Sequence, residues 1–191
     1  MNIKTILLVL TMIVSPIAVA AEDSPFYGEI YLNDYHGGES YMSQEAYIEY
    51  AFTDTLAVWA NGYHDEFGNI LYAGLSKTWD SGWTIALGAG QARFDGETRN
   101  VIAPWIGYSS EEWEFFLSGE RYQGADDPWF YQAYLQRYVG ENHLVGLYAE
   151  KDFGIGPVAT WNINDHLALR VAVPIADRGD TDVLATVILT F

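Results

Sequence analysis

Carboxylates and phenols recur at alternate positions along this chain. Glu29 stands between Tyr27 and Tyr31, Tyr47 stands between Glu45 and Glu49, and Glu114 and Glu120 share a spacing of two with Phe116, Ser118 and Tyr122. Gln132, Tyr134 and Gln136 follow the same rhythm, and Glu150 and Arg170 stand on two later segments. On a β-strand a spacing of two places side chains on one face. A face of this kind attracts cations and repels anions, and low-dielectric walls strengthen the effect. Its Tyr, Trp and Gln side chains can also stack on and hydrogen-bond sugars or nucleosides. Catalysis fits less well. The histidines, His36, His64, His143 and His166, are scattered, and none has a serine partner in a G-x-S-x-G or other nucleophile motif. No zinc spacing, calcium loop or Gly-rich phosphate loop occurs. No cofactor, no metal and no enzymatic activity are expected.

The segments that carry these residues alternate almost everywhere, and none keeps a helical period for three turns. Twelve strands are predicted, at 26–35, 43–52, 55–64, 69–79, 83–93, 100–109, 112–122, 129–139, 143–151, 153–162, 166–175 and 182–191. Opposite the polar parity runs an apolar one, with Ala46 and Ile48, Leu56 and Val58, Leu71 and Leu75, Ile85 and Leu87, and Leu167, Leu169 and Val171. Tight turns rich in Asp, Asn, Gly and Ser, at 53–54, 80–82, 110–111, 140–142 and 162–165, alternate with a second set that tends to be longer and more acidic. The second set lies at 36–40, 65–69, 95–98, 123–128 and 177–181, with a short exception near Lys151 and Asp152. Aromatic residues gather at both ends. Phe52, Trp79, Trp83, Tyr108, Trp113, Trp161 and Phe191 stand beside the tight turns, and Tyr35, Tyr63, Phe94, Trp129 and Phe153 beside the loops. Two aromatic belts around an apolar band are the expectation for strands in a bilayer. The last strand, 183–191, reads VLATVILTF and needs a partner along both edges, which closure onto the first strand supplies.

The first stretch reads as a leader rather than as structure. Lys4 precedes an apolar core from Ile6 to Val14, Pro16 breaks it, and small residues at 18–21 offer cleavage sites. A signal peptide over 1–21 and one barrel domain over 22–191 are expected. The chain has no cysteine, nine basic against 26 acidic residues and a net charge of −17. Nucleic acid is excluded as a partner, because phosphate contacts need clustered Lys and Arg.

The leader, the alternating turns, the segments 53–58 (TDTLAV) and 164–171 (NDHLALRV), and the terminal aromatic together resemble Gram-negative outer-membrane β-barrel proteins. The terminal Phe191 with apolar residues at alternate positions before it resembles the signal read by the barrel-assembly machinery. The likeness is architectural and spans 22–191. It implies a bacterial outer-membrane location and, among small twelve-stranded members, relatives that include oligosaccharide channels, nucleoside channels and a phospholipase.

The sequence thus predicts an all-β, transmembrane, antiparallel up-and-down β-barrel of about twelve strands, monomeric, with outer-membrane lipid and lipopolysaccharide as surroundings. The candidate pore-lining residues are Glu29, Tyr31, Glu45, Tyr47, Glu49, Glu114, Glu120, Tyr134, Glu150 and Arg170, with Arg170 as the one clearly inward base. Lys77 and Arg137 have outward parity and are expected to snorkel near the turns. Two readings of the interior stay open. One is a narrow channel for small polar or cationic solutes. The other is a filled barrel that acts through its surface, with inward Leu184 and Ile188 favouring some filling. The small inward residues Thr84, Ala86, Gly88, Gly90 and Ala92 either leave space or receive large side chains from other strands.

Overall fold

A computed structural model describes residues 25–37, 40–175 and 182–191. The expected leader lies outside these residues. Twelve strands follow one another: β1 Phe26–His36, β2 Tyr41–Ala51, β3 Leu56–His64, β4 Gly68–Thr78, β5 Trp83–Phe94, β6 Glu97–Ser109, β7 Trp113–Tyr122, β8 Trp129–Val139, β9 His143–Glu150, β10 Gly154–Asn164, β11 Leu167–Ala172 and β12 Val183–Thr190. Each pairs antiparallel with its sequence neighbours, and β1 pairs with β12, so the sheet is a closed barrel. Among the described residues there is no helix long and apolar enough to cross a membrane.

Closure uses the expected pair of strands. The seam runs from Glu29 opposite Thr190 to His36 opposite Val183, and Gly28 and Phe191 exchange both backbone hydrogen bonds. On the inward side Thr186 Oγ1 donates to Asn33 Oδ1 at 2.8 Å, and Asn33 Nδ2 donates to Ser43 Oγ at 3.1 Å. A three-strand hydrogen-bond chain therefore pins the register of the seam, where a slip of one residue would turn every side chain to the wrong face.

The loop end is tighter than the sequence suggested. β6 begins at Glu97, so the 95–98 connection shrinks to Asp95 and Gly96, with φ of 52° and 82°. Positive φ at both central residues is the requirement of a two-residue hairpin turn whose twist matches its strands. No atom lies within 4 Å of where a Gly96 Cβ would stand, so substitution there acts through the backbone alone. Gly96→Val is expected to cost about 1–2 kcal/mol and Gly96→Asn much less. The urea midpoint of the folded barrel would show this ranking, and equal losses would refute the backbone origin. The connection at 151–153 is short, as expected.

The outward parity is apolar, and it is exposed. Ile48, Val58, Leu71, Leu75, Leu87 and Leu147 all project from the wall, a surface that water does not tolerate over so large an area. Phe26, Phe52, Trp79, Trp83, Trp113 and Trp161 ring the turn end and are exposed. Lys77 lies over the Trp79 ring at 5.2 Å and Arg137 over Trp113 at 5.6 Å. Both long side chains lie along aromatic surface at the turn end, where their charged heads can reach water. The loop-end belt is thinner than predicted. Trp129 and Tyr131 point outward, but Tyr35, Tyr63, Phe94 and Phe153 line the interior. Their positions decide this: Tyr35 shares parity with Tyr31 and Asn33, and Tyr63 with Trp59 and Asn61.

Candidate functional site: the barrel interior

One cavity of about 840 Å³ occupies the inside of the wall. Its lining reaches from Tyr41, Asp65 and Phe153 at the loop end to Gly82, Thr84, Ser109 and Thr190 at the turn end, and so covers the full height of the barrel. All ten residues singled out by parity, Glu29, Tyr31, Glu45, Tyr47, Glu49, Glu114, Glu120, Tyr134, Glu150 and Arg170, face this cavity.

The six glutamates share one mode of support. Each accepts a hydrogen bond from a neutral donor. Four are held by a phenol two residues away on the same strand: Tyr31 donates to Glu29, Tyr47 to Glu49, Tyr122 to Glu120 and Tyr148 to Glu150. The pleat puts residues i and i+2 side by side on one face, which is why the spacing recurs. Further donors come across the sheet: Asn61 Nδ2 to Glu45 at 2.5 Å, Tyr72 to Glu120 at 3.0 Å, Ser76 to Glu49 at 3.1 Å, and Tyr138 to Glu114. Neutral donors orient a carboxylate without cancelling its charge. Among the described residues the four ion pairs are His36–Asp34, Arg99–Glu97, Arg137–Glu112 and Lys151–Asp127, and none uses any of these six glutamates.

Arg170 is seated differently from a salt-bridge partner. Its guanidinium lies 4.6 Å from the Tyr134 ring centre, and Nε donates to Thr160 Oγ1 at 3.3 Å. A ring face favours the cation without a counter-charge. Two further bases escaped the sequence reading. Lys151, on the short loop, lines the cavity at its outer end. There its ammonium donates to Asp127 and to the Trp129 carbonyl, which holds the Asp127 carboxyl below its usual range. Arg99 shares the inward parity of Val101 and Ala103, and it pairs with Glu97 at the rim. In all, eight carboxylates face Arg170 and Lys151 across the cavity, with Asp65 and Asp152 adding to the six glutamates.

The small residues of β5 receive a large one. Trp59 stands opposite Gly74, Gly74 opposite Gly88, and Gly88 opposite Ala103. The indole therefore lies along a row without bulky side chains, and it is 2% exposed. Around it rings touch in sequence: Tyr134 on Phe116, Phe116 near Trp105, Trp105 against Trp59, Trp59 on Tyr47, and Tyr47 against Tyr27. The opposite wall carries a second cluster, in which Tyr35, Tyr148, Val158, Ala172 and Leu184 pack with Tyr41, Tyr134 and Phe153. The glutamates border the space between the clusters. No histidine is among the residues that line it.

No protein-family model matches the chain, and comparison with curated proteins finds no match. Comparison with solved structures does. A KdgM porin is 12% identical with a TM-score of 0.58, the match covering 85% of this chain and 99% of that one. A KdgM porin solved in complex with disordered oligogalacturonate gives 11%, 0.61, 85% and 99%. A NanC porin gives 7%, 0.54, 86% and 98%. At these identities the likeness establishes the fold: this chain has the twelve-stranded barrel architecture of small outer-membrane porins.

Proposed function

We propose that the chain is a monomeric channel of the bacterial outer membrane, passing small polar and cationic solutes through an acidic, tyrosine-rich lumen. The observation that carries this reading is the state of the six inward glutamates. They line one full-height cavity, accept from neutral donors, and have no base within ion-pair distance among the described residues. Charge left uncancelled between low-dielectric walls concentrates cations. The exposed apolar band supports a bilayer as the surroundings. Lipopolysaccharide at the acidic rim and the barrel-assembly machinery are the partners that fit this location. Oligogalacturonate, the polyanion held by the KdgM porin, is a poor match for a lumen in which carboxylates outnumber bases eight to two. The packed cluster of Tyr35, Tyr148 and Leu184 favours the alternative of a filled barrel.

Planar-bilayer recording separates the two. Protein folded in detergent, identified by its heat-shifted gel mobility, is expected to give single-channel steps with a reversal potential that favours cations. Glu49→Gln and Glu120→Gln are each expected to lower the cation-to-anion ratio about two- to threefold. Folded protein that yields no steps would settle the matter for the filled barrel.

A further inference from the structure

Among the described residues two side-chain polar atoms are buried without a hydrogen-bond partner, Trp59 Nε1 and Asn61 Oδ1. Both residues belong to β3, share its inward face and line the cavity, and Asn61 is 8% exposed. Burying such a group unpaired is costly, so two in adjacent inward positions need an account. Their polarities are opposite. The indole can only donate, and the amide oxygen can only accept. Asn61 Nδ2 is already committed to Glu45 Oε1 at 2.5 Å, which fixes the amide with its oxygen as the free end. A ligand that satisfies this pair must therefore carry a donor for Asn61 and Glu45 and an acceptor for Trp59.

The surroundings narrow its class. Glu45 calls for a cation, and Glu120, held by Tyr72 and Tyr122, lines the same cavity. A bare metal ion does not fit, because it offers the indole no acceptor, and no group of His, Asp or Glu suited to a metal occurs among the described residues. Tyr47, stacked on Trp59 at 6.1 Å, and Tyr72, edge-on at 5.7 Å, are half-buried and present flat apolar surface beside the polar atoms. An ammonium next to a hydroxyl on a ring with an apolar face meets every one of these demands. We infer that Glu45, Asn61, Trp59, Tyr47 and Tyr72 form a subsite for a protonated amino sugar, with the amine on Asn61 and Glu45 and a hydroxyl accepting from Trp59. The inference deepens the channel reading and rests on it for passage, but not for binding.

The test is calorimetric titration of the full chain, folded in detergent, with the disaccharide of glucosamine, its N-acetylated counterpart and a galacturonate disaccharide. The amine is expected to bind, the N-acetylated sugar at least about tenfold more weakly, and the uronate not measurably. Glu45→Gln and Trp59→Phe are each expected to weaken the amine about tenfold; the second keeps an aromatic ring while it removes the N–H together with the pyrrole part of the indole. Equal binding of the amine and its N-acetyl form, or no binding by folded protein, would overturn the subsite. Unchanged affinity in both variants would overturn the placement. Conduction is read separately: a barrel that conducts but binds no amine sinks the subsite alone, and one that binds but never conducts sinks the channel alone.

Discussion

Trp59→Ala is expected to lower the stability of the barrel by about 3–5 kcal/mol, the range for emptying a large buried aromatic site. The indole is 2% exposed and touches Tyr47, Tyr72 and Trp105. The same residue predicts the cost of change on the facing wall. A Cβ at Gly88 would stand 2.6 Å from Trp59 Cη2 and 2.8 Å from Cζ2, so Gly88→Leu is expected to destabilise by about 3 kcal/mol, at the upper end for overpacking. The two changes address one volume. Their combination is therefore expected to fall short of additivity by about 1–2 kcal/mol, since the leucine then occupies space the indole has left. Urea midpoints of the four proteins give this coupling directly. Strict additivity would show that Trp59 does not rest on Gly88. If the channel reading holds, Trp59→Ala also raises single-channel conductance, because the indole stands between wall and conduit.

That row shows where the sequence was legible and where it stopped. Parity alone assigned all ten lumen residues to the inner face, because an up-and-down barrel obliges alternate residues to face opposite ways. The Tyr–Glu pairs at i and i+2 were within reach for the same reason. What lay across the sheet was not. The bond from Tyr72 to Glu120 joins residues 48 apart, and that from Asn61 to Glu45 residues 16 apart; each depends on register and barrel closure, which no local pattern encodes. The question left by Gly88 was of this type. Its answer, Trp59, sits two strands away, in line only because β3, β4 and β5 pair as they do. The aromatics near the loops misled for a simpler reason: distance to a turn says nothing about side, whereas parity, which already puts Tyr63 with Trp59 and Asn61, places Tyr35 inside as well. Arg99 was missed because the predicted strand began one residue too late to include it.

The second large effect concerns charge. Replacing Glu29, Glu45, Glu114 and Glu120 together by Gln is expected to weaken the cation preference strongly, since it halves the eight carboxylates that line the cavity. Gln keeps one amide oxygen where the carboxylate had two, so the phenols of Tyr31 and Tyr138 retain an acceptor, and at Glu120 one of Tyr72 and Tyr122 does. The wall is thus expected to fold with nearly unchanged gel mobility. Only the field changes. A unit charge about 8 Å from an ion contributes about 0.5 kcal/mol at a water-like dielectric constant. Four such charges amount to about 2 kcal/mol, or about 30-fold in cation occupancy. Arg170 remains, resting on Tyr134 and bonded to Thr160, neither of which the substitutions touch. With those carboxylates gone, Glu49, Glu150, Asp65 and Asp152 still outnumber Arg170 and Lys151, so the preference weakens without reversing. Arg170→Gln in the same background should then restore part of the cation preference. The measurement is the reversal potential under a salt gradient at low ionic strength, where screening beyond about 10 Å is weakest. A quadruple variant that folds, conducts and keeps its full cation preference would show that Glu49, Glu150, Asp65 and Asp152 select the ions and that the four replaced glutamates serve only to hold the wall.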